Sequence, residues 1–100
     1  MSNINYLNDE HFDDIQEVVS EYFVRLGSQK IAIRITLDSN GYYQMSTSHF
    51  YKGSDLASPV ITSAANFKSE AEALMYSRKQ IAGFYDPTDK NAVWIENEYY

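Results

Sequence analysis

The sequence has no cysteine, only two prolines and four glycines, and eight basic residues against fourteen acidic ones. Without cysteine there is no disulfide, no thiolate zinc site and no thiol nucleophile, which suits a reducing compartment. The shortage of Lys and Arg leaves a net charge of −6. That argues against direct duplex binding, because phosphate neutralisation by those residues supplies most non-specific affinity. Long apolar runs are missing as well, and none approaches the ~20 residues a membrane helix needs. Met1-Ser2-Asn3-Ile4-Asn5 has neither the basic region nor the apolar run of a leader peptide. There is no G-x-S-x-G, no Gly-rich phosphate loop and no nucleotide fingerprint. The two histidines, His11 and His49, stand apart, without H-x-H or H-E-x-x-H spacing. These absences predict a cytoplasmic, non-enzymatic protein with no catalytic residues, no cofactor, no metal and no membrane contact.

What remains is an ordinary globular composition. The chain has 100 residues, 44% hydrophobic and 22% charged, enough for one domain over 1–100 with a modest core. Phe12, Ile15, Val18, Val19, Tyr22, Phe23 and Leu26 recur at i+3, i+4 and i+7, which predicts a helix over 8–26. Asn8 would cap it, with Leu7 packing on Phe12, and Gly27 would stop it in a left-handed turn. Ile31, Ile33, Ile35 and Leu37 then alternate with polar neighbours, a half-buried strand over 29–37. A three-residue loop Ser39-Asn40-Gly41, with Gly41 left-handed, pairs Leu37 with Tyr43, Ile35 with Met45, Ile33 with Thr47 and Ile31 with His49. The second strand runs from Tyr42 to Tyr51, and a third is predicted at Val60–Ser63 after Pro59.

Ser69-Glu70-Ala71-Glu72 has the form of a capping box, so a helix starts there and runs to Ala82, stopping at Gly83. Its expected core stripe is Ala71, Leu74, Met75, Ile81 and Ala82, with Arg78 in the middle. Arg78 would snorkel to the helix edge or pair with a buried acid. Asp86-Pro87-Thr88-Asp89 reads as a turn. Asp86, Asp89 and Asn91 do not fit a calcium loop, because Lys90 and Asn97 fall where ligands are required. Ala92–Ile95 is a last short strand. The expected fold is α+β, in the order α-β-β-β-α-β, with an antiparallel three- to four-stranded sheet packed by two helices.

The charge is unevenly placed. Residues 1–27 hold six acids and one base, net −5, while 28–65 carry net +1 and 66–100 net −2. On a helix, Asp9, Glu10, Asp13, Asp14, Glu17 and Glu21 fall opposite the apolar stripe. Glu10/Asp14, Asp13/Glu17 and Glu17/Glu21 would then be like-charge pairs, each costing roughly 0.2–0.5 kcal/mol. Two readings stand: a solvated face, or a surface that meets a basic partner. Spread over about 27 Å at ~1.5 Å per residue, such a face would imitate part of a phosphate backbone. Nine tyrosines add interface character. Tyr22 and Tyr43 read as core, whereas Tyr42, Tyr76, Tyr99 and Tyr100 read as partly exposed. His49 reads as a core or boundary histidine. His11 would sit among carboxylates.

The α-β-β-β-α order is similar to that of double-stranded-RNA-binding domains, but the start Ser69-Glu70-Ala71-Glu72 is acidic where those domains are basic. The segment from Gly41-Tyr42-Tyr43 to Phe67-Lys68-Ser69-Glu70-Ala71-Glu72-Ala73 faintly resembles the strand-then-helix core of HicB-type antitoxins, over a third of the chain, and it carries no functional residue across. In size, acidity and lack of a catalytic motif the chain is similar in type to anti-CRISPR and anti-restriction inhibitors. The expected function is a binding module that occupies a basic, nucleic-acid-handling surface of a partner protein. It would use Asp9, Glu10, Asp13, Asp14, Glu17, Glu21, Tyr42, Tyr99 and Tyr100, and touch no nucleic acid itself. The alternatives are a toxin-neutralising immunity or antitoxin protein, and a small enzyme or ligand-binding domain.

Overall fold

The structure, a computed structural model, describes residues 3–100; Met1 and Ser2, on which the leader-peptide reading leans, lie outside the described residues. A short 3-10 helix, Ile4–Leu7, is followed by strands β1 (Gln16–Leu26), β2 (Gln29–Asp38), β3 (Tyr43–Thr47) and β4 (His49–Lys52). Helix α1 (Glu70–Ala82) and strand β5 (Val93–Glu96) complete the order. The strands form two antiparallel sheets, β1-β2-β3 and β4-β5.

The expected α-β-β-β-α-β order is therefore corrected. Residues 16–26 are a strand, not a helix, and α1 is the one α-helix among the described residues. The reason is local and then tertiary. Val18, Val19, Tyr22, Phe23 and Val24 are β-branched or aromatic, types that suit a pleated strand and lose side-chain freedom in a helix. Gly27 is not a helix stop. With φ +62, it opens the two-residue loop Gly27-Ser28, which sets Leu26 opposite Gln29 as a primed hairpin turn does. The ladder then runs from Leu26 back to Gln16, and it gives the isoleucines of β2 a cross-strand partner. A bulge between Val18 and Ser20 breaks the strict alternation, which is why period-two spacing was invisible in this stretch.

The second hairpin follows its sequence in three of the four expected pairs; the fourth, Ile31 with His49, does not form. Leu37 pairs with Tyr43, Ile35 with Met45 and Ile33 with Thr47. Gly41 has φ +85, and the Asp38 N–H donates to the Tyr42 carbonyl, closing the three-residue loop. The long second strand is divided at Ser48 into β3 and β4, because beyond it the chain leaves β2 and pairs with β5, His49 opposite Glu96.

Val60–Ser63 is not a strand. It is an extended segment tied to α1 instead: the buried Gln80 amide donates to the Val60 carbonyl at 2.8 Å and accepts from the Thr62 N–H at 2.7 Å. Just beyond it, Ala64 and Phe67 hydrogen-bond to β3 through Met45 and Tyr43. Helix α1 starts and ends as its sequence predicts, with Ser69 Oγ accepting from the Glu72 N–H. Its buried face is rotated from the expected stripe to Ala73, Ser77, Gln80 and Ile81, and Met75 is exposed. Ser77 and Gln80 enter the core because each finds internal partners, Ala73 O for the hydroxyl and Val60 and Thr62 for the amide.

The core is built on Ile31, Ile33, Ile35, Met45, Phe67, Ala73 and Ile81. Helix α1 packs chiefly on β3, β4 and β2, and it meets β1 where the Ser20 hydroxyl donates to Glu70 at 3.0 Å. A second aromatic cluster, Tyr51, Tyr85 and Trp94, joins the small sheet to the loop after α1. No helix among the described residues is long and apolar enough to cross a membrane.

Candidate functional site

The acidic residues do not share one helix face. Asp9, Glu10, Asp13 and Asp14 lie in an exposed arm between the 3-10 helix and β1. The arm is shaped by its own polar atoms. The Asp9 carboxylate accepts from the His11 N–H at 2.8 Å and meets His11 Nδ1 at 2.9 Å. The His11 backbone bond, then its ring, holds the Asp9 carboxyl below the ordinary value. A relay from Thr36 Oγ1 to Gln16 to Asp14 ties the end of the arm to β2, with both bonds at 2.6 Å.

The arm faces the β2–β3 turn across an open cleft of about 490 Å³, walled by Asp38, Ser39 and Asn40. Asp38 is buried and already spoken for. It accepts from the Asn40 and Tyr42 N–H groups and from Gln44 Nε2 at 2.9 to 3.1 Å. Those bonds, the Tyr42 N–H first, hold its carboxyl below the usual range. Asp38 thus organises the turn, while the arm supplies the accessible charge. No group of three or more acidic or histidine side chains among the described residues has the geometry to hold a metal ion.

The other expected residues separate from the arm. Glu17 stands on β1 opposite Leu37. Glu21 faces the outer side of the large sheet, where Arg34 Nη2 meets it at 3.1 Å and the Tyr100 hydroxyl donates to it. The Arg34 guanidinium also stacks on the Tyr100 ring, 4.2 Å from its centroid. The Tyr100 hydrogen bond, followed by Arg34, lowers the Glu21 carboxyl. Desolvation, and then the Glu21 bond, pushes the Tyr100 phenol up to about 12. Both residues are engaged within the fold. Tyr42 is partly exposed after the β2–β3 turn and Tyr99 is exposed. Tyr22, expected in the core, is instead 45% exposed.

Two further expectations find their places. His49 is half-buried, with Nδ1 2.8 Å from Ser48 Oγ. Asp86 accepts from the Thr88 hydroxyl and N–H, and Asp89 accepts from the Ser54 N–H and hydroxyl, so both shape loops. What the sequence reading missed is a groove of about 230 Å³ between β1 and α1. It is lined by Val24, Leu26, Ile33, Leu74 and Ile81, with Arg25 and Arg78 among its walls. Arg78, singled out within the helix stripe, was the one signal for it.

The regular line of charge that a helix would have presented is absent, so imitation of a phosphate backbone by a helix face drops out. A compact acidic arm replaces it. No family model matches the chain, and neither a curated protein nor a solved structure matches it.

Proposed function

We propose that this chain is a non-enzymatic, cytoplasmic binding module of the inhibitor type. Its acidic arm occupies a basic, nucleic-acid-handling surface on a partner protein. The observation that carries the reading is the arm itself. Asp9, Glu10, Asp13 and Asp14 fall within six residues, and none makes an ion pair with a Lys or Arg among the described residues. Phe12, in their midst, is also exposed. Exposed like charges gathered without a Lys or Arg partner raise the local negative potential, and such potentials speed and orient encounter with a basic surface. An aromatic side chain inside a charged rim is a common anchor of protein interfaces.

The test is affinity capture from host lysate at low and high salt, with the arm intact and with Asp9, Asp13 and Asp14 changed to Lys. The reading expects a partner that is held at low salt, released at high salt and lost on charge reversal. A partner retained equally by the reversed arm overturns it.

A further inference from the structure

The two edges of the large sheet end differently, and the bare one carries a charge pattern that suits a copy of itself. β1 is an edge strand of 11 residues with no strand on its outer side among the described residues. Long unpaired edges are templates for pairing, and proteins usually blunt or cover them. The inner face packs Val19, Val24 and Leu26 against the core, yet large apolar side chains on both faces stay exposed beside the edge. Phe23 (61% exposed) and Val18 (59%) lie on the outer face, paired opposite Ala32 and Thr36, while Tyr22 lies on the inner face opposite Ile33. One cover of Phe23 is the Lys30 ammonium, 4.8 Å above its ring.

Charge runs along this strand. The acidic arm, Asp9 to Asp14, leads into its start. Its far end carries Arg25 beside the apolar groove, with Arg78 of α1 also lining it. Neither arginine makes an ion pair among the described residues. An extended strand rises ~3.3 Å per residue, so the arm of one molecule cannot fold back onto its own groove at the other end of β1. An antiparallel neighbour has the opposite polarity. It sets the acidic start of one strand beside the basic end of the other, twice over.

We propose that two copies of this chain pair through the outer edge of β1 about a two-fold axis, with the acidic arm of each lying at the Arg25–Arg78 end of the other. The interface is isologous, as closed dimers require. It satisfies the unpaired backbone groups of β1, gives Val18, Tyr22 and Phe23 cross-strand neighbours that cover part of their surface, and brings Phe12 within reach of the groove walled by Val24, Leu26, Leu74 and Ile81. The dimer does not depend on the partner reading, since it needs nothing but the chain. The two are linked by competition, because a second copy and a basic partner claim the same arm.

Sedimentation equilibrium of the purified chain at low salt tests this directly. The expected result is a concentration-dependent equilibrium between the chain mass and twice that mass, shifted toward monomer by salt. Phe23→Lys weakens dimerisation by at least about tenfold, and so does Arg25→Glu with Arg78→Glu, an effect of about 1.4 kcal/mol or more. All these positions are exposed, so the circular dichroism of each variant stays that of the parent. Adding Asp13→Arg and Asp14→Arg to the doubly reversed arginines restores association to within about threefold, because the charges are exchanged rather than lost. A chain that stays monomeric throughout overturns the proposal. So does a dimer indifferent to these changes, or a reversed pair that the exchange fails to rescue.

Discussion

The two edges of the three-stranded sheet are treated in opposite ways. Along β3 the chain covers its own edge: Phe67 bridges Tyr43, Ala64 accepts from the Met45 N–H, and Gln80 ties the preceding segment to α1. Along β1 nothing comparable is laid down among the described residues, and large apolar side chains stay in water. The covered edge belongs to the core and bears stability. The inner face of β1 belongs to the fold through Val19, Val24 and Leu26, while its outer edge is free to contact other molecules. Backbone donors and acceptors must find partners somewhere, so the contrast marks where the fold is complete and where it is not.

Substitutions sharpen this contrast, beginning with the centre of the sheet. Ile35 is fully buried, and Ile35→Ala should cost about 2–5 kcal/mol by transfer and cavity terms, read as a drop in the urea midpoint. Gln80→Ala should cost about 1–3 kcal/mol, because it empties a buried site and leaves the part-buried Val60 carbonyl and Thr62 N–H without partners. Hydrogen exchange should show the gain in opening at Met45 and Thr62 and not at β1. By contrast, Phe23→Lys should move stability by no more than about 0.5 kcal/mol at a concentration where the chain is monomeric, as exposed positions do. Equal losses at Phe23 and Ile35 would erase the distinction.

The effect of acid bears on the turn between β2 and β3. The Asp38 carboxyl is lowered by the hydrogen bonds it accepts, the Tyr42 N–H first. Its folded value therefore lies below its unfolded one. The stability it contributes is complete above the unfolded value and is lost as pH falls through the folded one. Urea midpoints measured from neutral pH down into the acid range should fall less steeply in Asp38→Asn than in the parent. The smallest effect lies on the outer face. The Tyr100 phenol, pushed up to about 12 by desolvation and the Glu21 bond, should give a late titration step that ultraviolet difference spectra of Tyr100→Phe lack.

Much of the fold was legible from residues in sequence. The β2–β3 register followed from alternating isoleucines and from one glycine able to adopt a positive φ. Both ends of α1 followed from Ser69, Glu72 and Gly83. The misreading of 8–26 has an identifiable source. Val19, Tyr22, Phe23 and Leu26 fit a helical stripe, and the bulge at Val18–Ser20 hid the competing period of two. The like-charge pairs that a helix would have suffered were the correct warning. In the observed fold Asp13 and Glu17 are parted between an arm and a strand, while Glu10 and Asp14 stay together in the arm and Glu17 and Glu21 on the strand, so the i,i+4 helical spacing is gone. Of the candidate site, the clustering of Asp9 to Asp14 was readable, because charge is a property of sequence. The engagement of Glu21 and Tyr100 by Arg34 was not, since it joins residues far apart in the chain.

The sequence alone determined composition, net charge, the turn residues and the periodicity that local backbone preferences impose. Those are properties of neighbours, set by sterics and capping within a few residues. Only the tertiary structure decided that 16–26 is a strand, that its outer edge is left unpaired among the described residues, and that Arg25 and Arg78 share a groove. Each of these depends on which surface is buried against which, and that balance is struck between segments distant in sequence.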